Sequence, residues 1–540
     1  MSEPIPEAED DDTTLGPPSL LRSSAVVALG TALSRLTGFG RLAATAYAIG
    51  FDRLTDTYTL ANTTPNMVYE LLLGGVLSAT LVPIFVHQHE EDDEDGTSAI
   101  VTVATALLVA VVVVGLVAAP WIVRLYTLGV EGQVAAEQEQ VATSLLRMFM
   151  PQMLFYGLTA MGTALLNARR SFAAPAFAPV VNNLLVTAVL LSLPRIAGHT
   201  PTLTDVREDP VLLWTLGIGT TAGIVAMTLV LWPALRKAGV HIRARLDFRH
   251  PAVRQVGRMS GWTLGYVICN QLSLLVVLVL ANREAGGVSS YTGAFIFFQL
   301  PHALFAVTLM TTLVPELSAA ASRGDRVLFR ERFSLGMRLM ALVVLPAATG
   351  YIVLAEPIVS ALLERGALEA ASAELTAEVL AAFATGLFGF STYLFALRGF
   401  YARRDTKTPF LLNVAQNTLQ IVLALALEPF LGVPGLAFAY AGSYSAAALL
   451  SLVVLRRLGG GRLDGRRVAR SVAKVVVACA LMAAAVLTVT SFVGDDEGTG
   501  AIVRTVVGVV TGGVTFAVAV VVLRVEEVTA LRQRVLRRGS

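Results

Sequence analysis

The first apolar run of the chain covers residues 20–50 and reads LLRSSAVVALGTALSRLTGFGRLAATAYAIG, with Arg35 and Arg41 in its interior. The run is long enough to cross a bilayer, because about 20 apolar residues in a helix span the hydrocarbon core. An arginine at the centre of such a helix costs about 3 kcal/mol on insertion scales, so it usually faces a water-filled cavity or a partner. We therefore predict a membrane helix that turns positive charge toward a wet interior.

The next apolar run, residues 57–86, carries a stripe of polar side chains. Asn62, Asn66, Tyr69 and Glu70 occur at positions i, i+4, i+7 and i+8, which places them on one face of a helix. Two neighbouring helices with facing polar stripes would enclose a common cavity, and arginine on one wall would suit an anionic substrate. The alternative is that both arginines extend to one membrane surface and bind lipid phosphate.

The composition is that of a polytopic membrane protein. Of the 540 residues, 55% are hydrophobic and 15% are charged, whereas soluble domains are nearer a quarter charged. We predict an all-α fold with about fourteen transmembrane helices, from the number of apolar runs of spanning length. The sequence has no metal-site spacing, phosphate-binding loop or nucleophile elbow, so we expect neither an enzyme nor a cofactor. A monovalent cation or a proton gradient is then the candidate source of energy.

The connections between the predicted helices alternate in charge. Basic residues are concentrated after even-numbered helices, as at Arg169 and Arg170, whereas the connections after odd-numbered helices are mostly neutral or acidic. By the positive-inside rule, the basic connections face the cytoplasm. Because the helix count is even, we predict that both termini are cytoplasmic.

An internal repeat relates two halves of the chain. The matching segments are Ala168-Arg169-Arg170 with Ala402-Arg403-Arg404, Pro175 with Pro409, Asn183 with Asn417, and Leu81-Val82-Pro83 with Leu313-Val314-Pro315. Parallel repeats are a transporter architecture, in which the substrate path runs between the halves. The predicted segments are a disordered acidic tail (1–18), a six-helix lobe (19–235), a basic cytoplasmic linker (236–254), a second six-helix lobe (255–458), helices 13 and 14 (459–525) and a basic cytoplasmic tail (526–540).

In the second lobe, the seventh and eighth helices are equivalent to the first two. They add Asn270, Gln299 and His302 to the predicted substrate path. His302 is either a proton relay, because its charge changes near physiological pH, or the donor of one hydrogen bond to a neighbouring helix. Asp56, at the start of the second helix, is the predicted gating residue, which would pair with an arginine of the first helix when the outer side is closed. A solvated helix cap is the alternative for Asp56.

These motifs resemble those of the MurJ (MviN) lipid II flippase family. Residues 34–41, SRLTGFGR, resemble the signature of its first helix, and Asp56, Pro65-Asn66 and residues 75–78 and 82–83 resemble its second helix. The segments at 167–175 and 403–409 also fit. The resemblance implies a multidrug/oligosaccharidyl-lipid/polysaccharide exporter fold in a bacterial cytoplasmic (inner) membrane.

The resemblance also implies an activity. A member of this family would translocate the undecaprenyl-pyrophosphate-linked peptidoglycan precursor from the inner to the outer leaflet by alternating access. Basic residues would hold the pyrophosphate, and a hydrophobic groove near the last two helices would carry the polyprenyl tail. The expected partners are this lipid substrate, membrane lipids and cell-wall synthesis enzymes, with no nucleic acid.

The sequence departs from the family pattern in two helices. Tyr69-Glu70 stands where many members carry an arginine pair, and Phe295-Ile296, followed by Gln299, stands where many carry charged residues. These changes resemble the actinobacterial branch, and they leave Arg35 and Arg41 with more of the positive charge. A flippase for another polyprenyl-linked oligosaccharide, a cation-coupled drug exporter and a non-transporting scaffold for cell-wall enzymes remain as alternatives. The arginines argue against the drug exporter, which would need acidic residues in its cavity.

Overall fold

The computed structural model describes residues 17–71, 75–91, 93–259, 261–458, 464–494 and 498–529, and the regular secondary structure of these residues is helical. The predicted acidic tail lies outside the described residues except for positions 17 and 18. Of the predicted basic tail, only residues 526–529 lie inside them.

The helices follow one another in two halves and a final pair. The first half forms α1 (Pro17–Ile49), α2 (Arg53–Tyr69), α3 (Gly75–Glu90), α4 (Glu94–Tyr126), α5 (Gly132–Phe149), α6 (Gln152–Ala168), α7 (Ala173–Ala197), α8 (Leu203–Glu208), α9 (Pro210–Leu229) and α10 (Leu231–Lys237). The second half forms α11 (Pro251–Met259), α12 (Gly261–Ala281), α13 (Gly287–Pro301), α14 (Val307–Ser322), α15 (Arg326–Leu363), α16 (Ala370–Ala384), α17 (Leu387–Ala402) and α18 (Lys407–Leu458). A π-helical turn, His302–Ala306, joins α13 to α14, and the final pair is α19 (Gly465–Thr490) and α20 (Gly498–Val522).

The structure shows how the predicted membrane spans are built. Among the described residues, nine helices are long and apolar enough to cross a membrane, and the pair α16–α17, bent by 46°, would make ten. The 52-residue helix α18 is broken at Gly432 (φ 59°, ψ −144°), whose backbone conformation is readily adopted only by glycine. Each half of α18 is long enough for one span. Two other predicted spans are each divided into two shorter helices, α2–α3 and α5–α6. The count of fourteen stays a prediction.

The same turn ends α6 in the first half and α17 in the second. Arg170 (φ 56°) and Arg404 (φ 60°) both adopt the left-handed conformation, which is uncommon for a residue other than glycine. The next amide then donates to a carbonyl five residues back, from Ser171 to Leu166 at 2.8 Å and from Asp405 to Phe400 at 3.1 Å. This pairing satisfies carbonyls that the helix end would leave free. Equal geometry at equivalent positions is what the internal repeat predicts.

Two asparagines of the repeat also occupy equivalent places. The Asn183 side-chain amide on α7 donates to the Ser34 carbonyl and the Thr37 hydroxyl on α1, both at 3.2 Å. The Asn417 amide on α18 donates to Asn270 Oδ1 on α12 at 2.8 Å. The pair α1–α7 therefore corresponds to the pair α12–α18, and each is joined by a buried amide, a common interhelical bond in membranes.

The largest buried hydrophobic cluster lies in the second half. At its centre, the rings of Phe295, Phe298, Phe383, Phe390 and Tyr440 pack with centroid distances between 5.3 and 6.0 Å. Phe295 is thus part of an apolar core. A charge at this position would be buried among aromatic rings, which is costly without a partner.

The connections between helices lie at two ends of the bundle. The Asp56 end carries the connections at 50–52, 282–286 and 364–369, and the Arg169 end carries those at 169–172, 238–250, 323–325 and 403–406. At the Arg169 end, the connection between the halves lies along α4, where the Arg243 amide donates to Ser98 Oγ and the Arg245 amide to Thr102 Oγ1, both at 3.1 Å. This connection falls within the predicted linker 236–254.

Candidate functional site

A cavity of about 200 Å³ lies where α1 and α2 of the first half meet α13 of the second. Hydroxyl groups line most of its polar surface, from Thr45, Thr55, Tyr58, Thr59, Ser289 and Thr292. Gly38, Leu42, Phe51 and Ile296 supply the apolar part. The helices α1 and α2 therefore share a cavity, and α13 closes it from the other half.

Arg41 is the one formally charged side chain among the described residues that line this cavity. It is half-buried, and among the described residues no carboxylate forms an ion pair with it. Tyr58 lines the same cavity and is buried. A guanidinium without a carboxylate presents its planar set of N–H donors to a ligand, and that geometry suits a phosphate oxygen pair.

Asn62 lies on the wall that α2 contributes. Its Oδ1 atom is buried and accepts no hydrogen bond from the residues that the structure describes. Buried polar atoms are almost always paired in folded proteins, and an exception asks for an explanation. A ligand hydroxyl or amide in the cavity would complete the bonding of Asn62.

The other members of the predicted stripe on α2 lie beyond the cavity. Asn66 is exposed, the Tyr69 ring packs against that of Tyr156 with centroids 5.8 Å apart, and Glu70 is half-buried just after α2 ends. The lining residues instead continue toward the start of the helix, at Thr55, Tyr58, Thr59, Asn62 and Thr63. Their spacing of three and four residues is a helical stripe that the sequence already contained, but threonine also occurs on lipid-facing surfaces and gave a weaker signal.

Arg35 does not line this cavity. It is exposed on α1, six residues before Arg41, and at 1.5 Å per residue the two positions are about 9 Å apart along the helix. The structure therefore separates two arginines that the sequence predicts to act together. A role of Arg35 in substrate binding stays a prediction.

The predicted site residues of the second half lie apart from the cavity. Asn270 accepts hydrogen bonds from the side-chain amides of Asn413 and Asn417 on α18, at 3.0 and 2.8 Å. His302 is buried, with Nδ1 2.9 Å from Ser391 Oγ and its ring against Phe390. This arrangement matches the second hypothesis for His302, a single hydrogen bond to a neighbouring helix. Gln299 is half-buried and does not line the cavity.

Asp56 joins the two halves at the closed end of the cavity. Its carboxylate is fully buried and accepts hydrogen bonds from the Gly286 amide at 2.8 Å, the Ser289 amide at 2.9 Å and the Ser289 hydroxyl at 2.6 Å. These donors lie at the start of α13, whose own N-cap residue, Gly286, supplies no side-chain hydrogen bond. Neither predicted alternative for Asp56 holds here, because it pairs with a helix N-terminus and not with an arginine of α1, and it is not solvated.

Arg53, three residues earlier, binds the other side of the same connection. Its guanidinium donates to the carbonyl of Asn282 and, at 2.9 Å, to that of Arg283, just after the end of α12. A cation at a helix C-terminus and an anion at a helix N-terminus are both favourable, since they offset the unpaired backbone groups there. We call Arg53, Asp56, Gly286 and Ser289 the inter-half latch.

Backbone contacts close the same end further. The Ala367 amide donates to the Tyr47 carbonyl, and the Ser372 hydroxyl donates to the Phe51 carbonyl, both at 2.9 Å. Gly286 (φ 76°) comes so near Phe51 that an added Cβ would lie 2.5 Å from the Phe51 carbonyl oxygen. The Asp56 end is thus sealed by close backbone packing, and glycine is required at position 286.

Comparisons with known proteins agree with this fold. The sequence model of the family described as "Lipid II flippase MurJ" matches residues 45–508. A relative from Burkholderia cenocepacia, named lipid II flippase MurJ, is 29% identical over 451 residues, which are 82% of this chain and 84% of the relative. A relative from Vibrio cholerae serotype O1, named probable lipid II flippase MurJ, is 28% identical over 483 residues, with 87% and 89% of the two chains covered.

Solved structures show the same architecture. A lipid II flippase MurJ in an inward closed conformation superposes with a TM-score of 0.76 at 19% identity, covering 93% of this chain and 99% of the other. An inward-facing multidrug resistance MATE family transporter gives a TM-score of 0.63 at 13% identity, covering 80% and 98%. The predicted actinobacterial branch stays a prediction. The family match over most of the chain establishes that this protein belongs to the MurJ family of lipid II flippases.

Proposed function

We propose that this protein translocates lipid II, the undecaprenyl-pyrophosphate-linked peptidoglycan precursor, from the inner to the outer leaflet of a bacterial cytoplasmic membrane. The observation that carries the proposal is Arg41, a guanidinium with no carboxylate partner among the described residues, in a cavity between the two halves of a MurJ-family fold. A pyrophosphate offers paired anionic oxygens to such a group. The hydroxyl groups and Asn62 around it would bond to the adjoining sugar.

The size of the cavity supports alternating access. Pockets for drug-sized ligands measure about 300–1,000 Å³, and a disaccharide with an attached peptide is larger than most drugs. A cavity of about 200 Å³ holds a pyrophosphate but not the whole headgroup. The two halves must therefore separate to admit and release the substrate.

The latch indicates which end opens for release. The Arg169 end carries the basic connections, so by the positive-inside rule it faces the cytoplasm and the Asp56 end faces outward. In this arrangement the latch closes the outer side, and lipid II would reach Arg41 from the cytoplasmic side. Release outside would require Asp56 to leave the start of α13.

Complementation of cells depleted of their own lipid II flippase tests this proposal. We expect wild type to restore growth, Arg41→Ala to fail at equal membrane abundance, and Arg326→Ala, the loss of an exposed charge at the start of α15, to retain most activity. Rescue by Arg41→Ala equal to that by wild type would contradict the assigned site. Failure of an abundant wild type would indicate another polyprenyl-linked oligosaccharide or a scaffolding role.

A further inference from the structure

A second concave surface lies at the Arg169 end, where α19 begins and the chain leaves α20. This basic pocket, of about 500 Å³, is lined by Arg467, Arg470, Lys474, Arg524 and Glu526, with Ser471 and Thr529 beside them. Arg524 has φ 49°, and the Val525 amide donates to the Val520 carbonyl at 3.0 Å. This turn brings the residues after α20 back against α19 and forms the wall of the pocket.

Buried ion pairs fix that wall in place. Arg338 of α15 is buried and pairs with the buried carboxylate of Glu527 and, at 3.2 Å, with Glu526. Ser471 Oγ donates to Glu527 at 2.9 Å, and Arg467 Nε donates to Glu526 at 2.9 Å. The two carboxylates of the wall are therefore already bonded to Arg338 and Arg467.

Three further cations are left in the basic pocket. Among the described residues, no carboxylate lies within ion-pair distance of Arg470, Lys474 or Arg524. The Lys474 ammonium donates to the Arg524 carbonyl at 2.9 Å, which holds it at the wall. Cations that share a pocket repel one another, so an anion between them would be stabilised.

The surface next to the basic pocket is apolar and outward-facing. On α19, Val477 and Leu481 follow Lys474 on the same helical face and are 49% and 51% exposed. On α20, Val518 and Val521 precede Arg524 and are 58% and 47% exposed. Both helices are apolar enough to span a membrane, so the cations lie where such helices meet the polar boundary of the bilayer, a position where basic pockets bind lipid headgroups.

We propose that the basic pocket binds the phosphate headgroup of an anionic membrane phospholipid, with the acyl chains lying along α19 and α20. Arg470, Lys474 and Arg524 contact the phosphate, and Val477, Leu481 and the valines of α20 contact the chains. The site is separate from the Arg41 cavity, and the proposal does not depend on the transport function.

Native mass spectrometry of the full-length protein in detergent, titrated with phosphatidylglycerol, tests the proposal. We expect one phosphatidylglycerol to bind wild type more tightly than phosphatidylcholine. Arg470→Gln/Lys474→Gln should bind it about 25-fold more weakly, since each of the two basic residues near a lipid surface contributes about fivefold. Arg524→Gln, on the opposite wall, should weaken binding as well. The matched control is Arg457→Gln/Arg466→Gln, which removes two nearby exposed cations outside the pocket and should leave the affinity unchanged.

Other outcomes would overturn the proposal. Equal affinities for phosphatidylglycerol and phosphatidylcholine would show that the pocket does not recognise anionic phosphate. Equal losses of phosphatidylglycerol affinity in the pocket and control variants would show that the affinity depends on net charge alone and not on the pocket. Binding of undecaprenyl pyrophosphate without binding of phosphatidylglycerol would assign the pocket to the transported lipid and not to a phospholipid. Unchanged thermal unfolding of each variant confirms that the fold is intact.

Discussion

The carboxylate of Asp56 on α2 accepts hydrogen bonds from both the backbone amide and the hydroxyl of Ser289 on α13, at 2.9 and 2.6 Å. One residue of the first half thereby caps a helix of the second. Hydrogen bonds to a charged group contribute about 1.5–3 kcal/mol each, so this contact stabilises the closed Asp56 end. Opening that end replaces these hydrogen bonds with hydrogen bonds to water. Changes at the latch should therefore alter how readily the Asp56 end opens.

Replacing Asp56 by asparagine should loosen the latch. Asn keeps one acceptor but loses the charge and the second carboxylate oxygen, so the closed state becomes less favoured. We expect several-fold faster alkylation of a cysteine placed at Thr59, on the cavity wall. The control is Asp52→Asn, because the hydrogen bonds that the Asp52 side chain accepts from described residues come from Leu54 and Thr55 of its own helix. Equal alkylation rates in the two variants would argue against the latch.

Replacing Ser289 by alanine should have a smaller effect in the same direction. The change removes the 2.6 Å hydroxyl bond but leaves the two backbone amides on Asp56. We expect a loss of about 1–3 kcal/mol from the closed state, seen as alkylation intermediate between wild type and Asp56→Asn. The neighbouring Ser290 is buried and its hydroxyl has no partner among the described residues. If Ser290→Ala opens the end as much as Ser289→Ala, the effect is one of packing.

A negative charge placed beside Arg41 should weaken substrate binding. Asn62→Asp puts a carboxylate on the cavity wall, where it would compete with a pyrophosphate for the guanidinium. We expect at least tenfold weaker binding of lipid II in detergent, measured by titration. Asn66→Asp is the matched change one turn away at an exposed position and should have little effect. Similar affinities for the two variants would place the phosphate elsewhere.

Acid should abolish the contribution of Glu526 to stability. The hydrogen bond and positive charge of Arg467 hold the pKa of Glu526 below its usual range. A lowered folded-state pKa means that the contribution is present above the unfolded pKa and is lost as pH falls through the folded one. Because Glu526 is half exposed, the contribution is about 1 kcal/mol or less.

Thermal unfolding measured from pH 7 downward checks this sign. Glu526→Gln should unfold at a lower temperature than wild type at pH 7, and the difference should shrink as the carboxylate becomes protonated. Glu331→Gln, an exposed change that breaks no ion pair among the described residues, serves as control. A difference that grows toward acid would contradict the assignment.

Sequence alone drew attention to Arg41, because a charge inside an apolar run has few explanations, and to Asn62 through the polar stripe of the next run. Both residues line the cavity between α1, α2 and α13. The latch was not predictable in detail, since Asp56 accepts hydrogen bonds from backbone amides 230 and more residues away. Almost every residue has a backbone amide, so the sequence does not show which one acts as the donor. Arg53 was missed, although an arginine three residues before an aspartate at a helix start was visible.

The second half was harder to predict, since polar side chains there bond to one another. Asn270 fits the helical pattern of a cavity wall equally well, yet it faces the amides of α18. Periodicity gives the face of a helix but not which neighbour that face meets. Phe295 shows the same limit, because its ring packs against Phe383 and Tyr440 of other helices, and sequence does not show which helices meet there.

The most direct measurement of the central claim is lipid II translocation by purified protein in vesicles, with the lipid II exposed on the far side quantified. We predict that wild type exposes lipid II, that Arg41→Ala does not, and that the control Arg326→Ala does so at a rate close to wild type. Equal exposure by wild type and Arg41→Ala would contradict the account, because transport would then proceed without the charge that Arg41 places on the cavity wall.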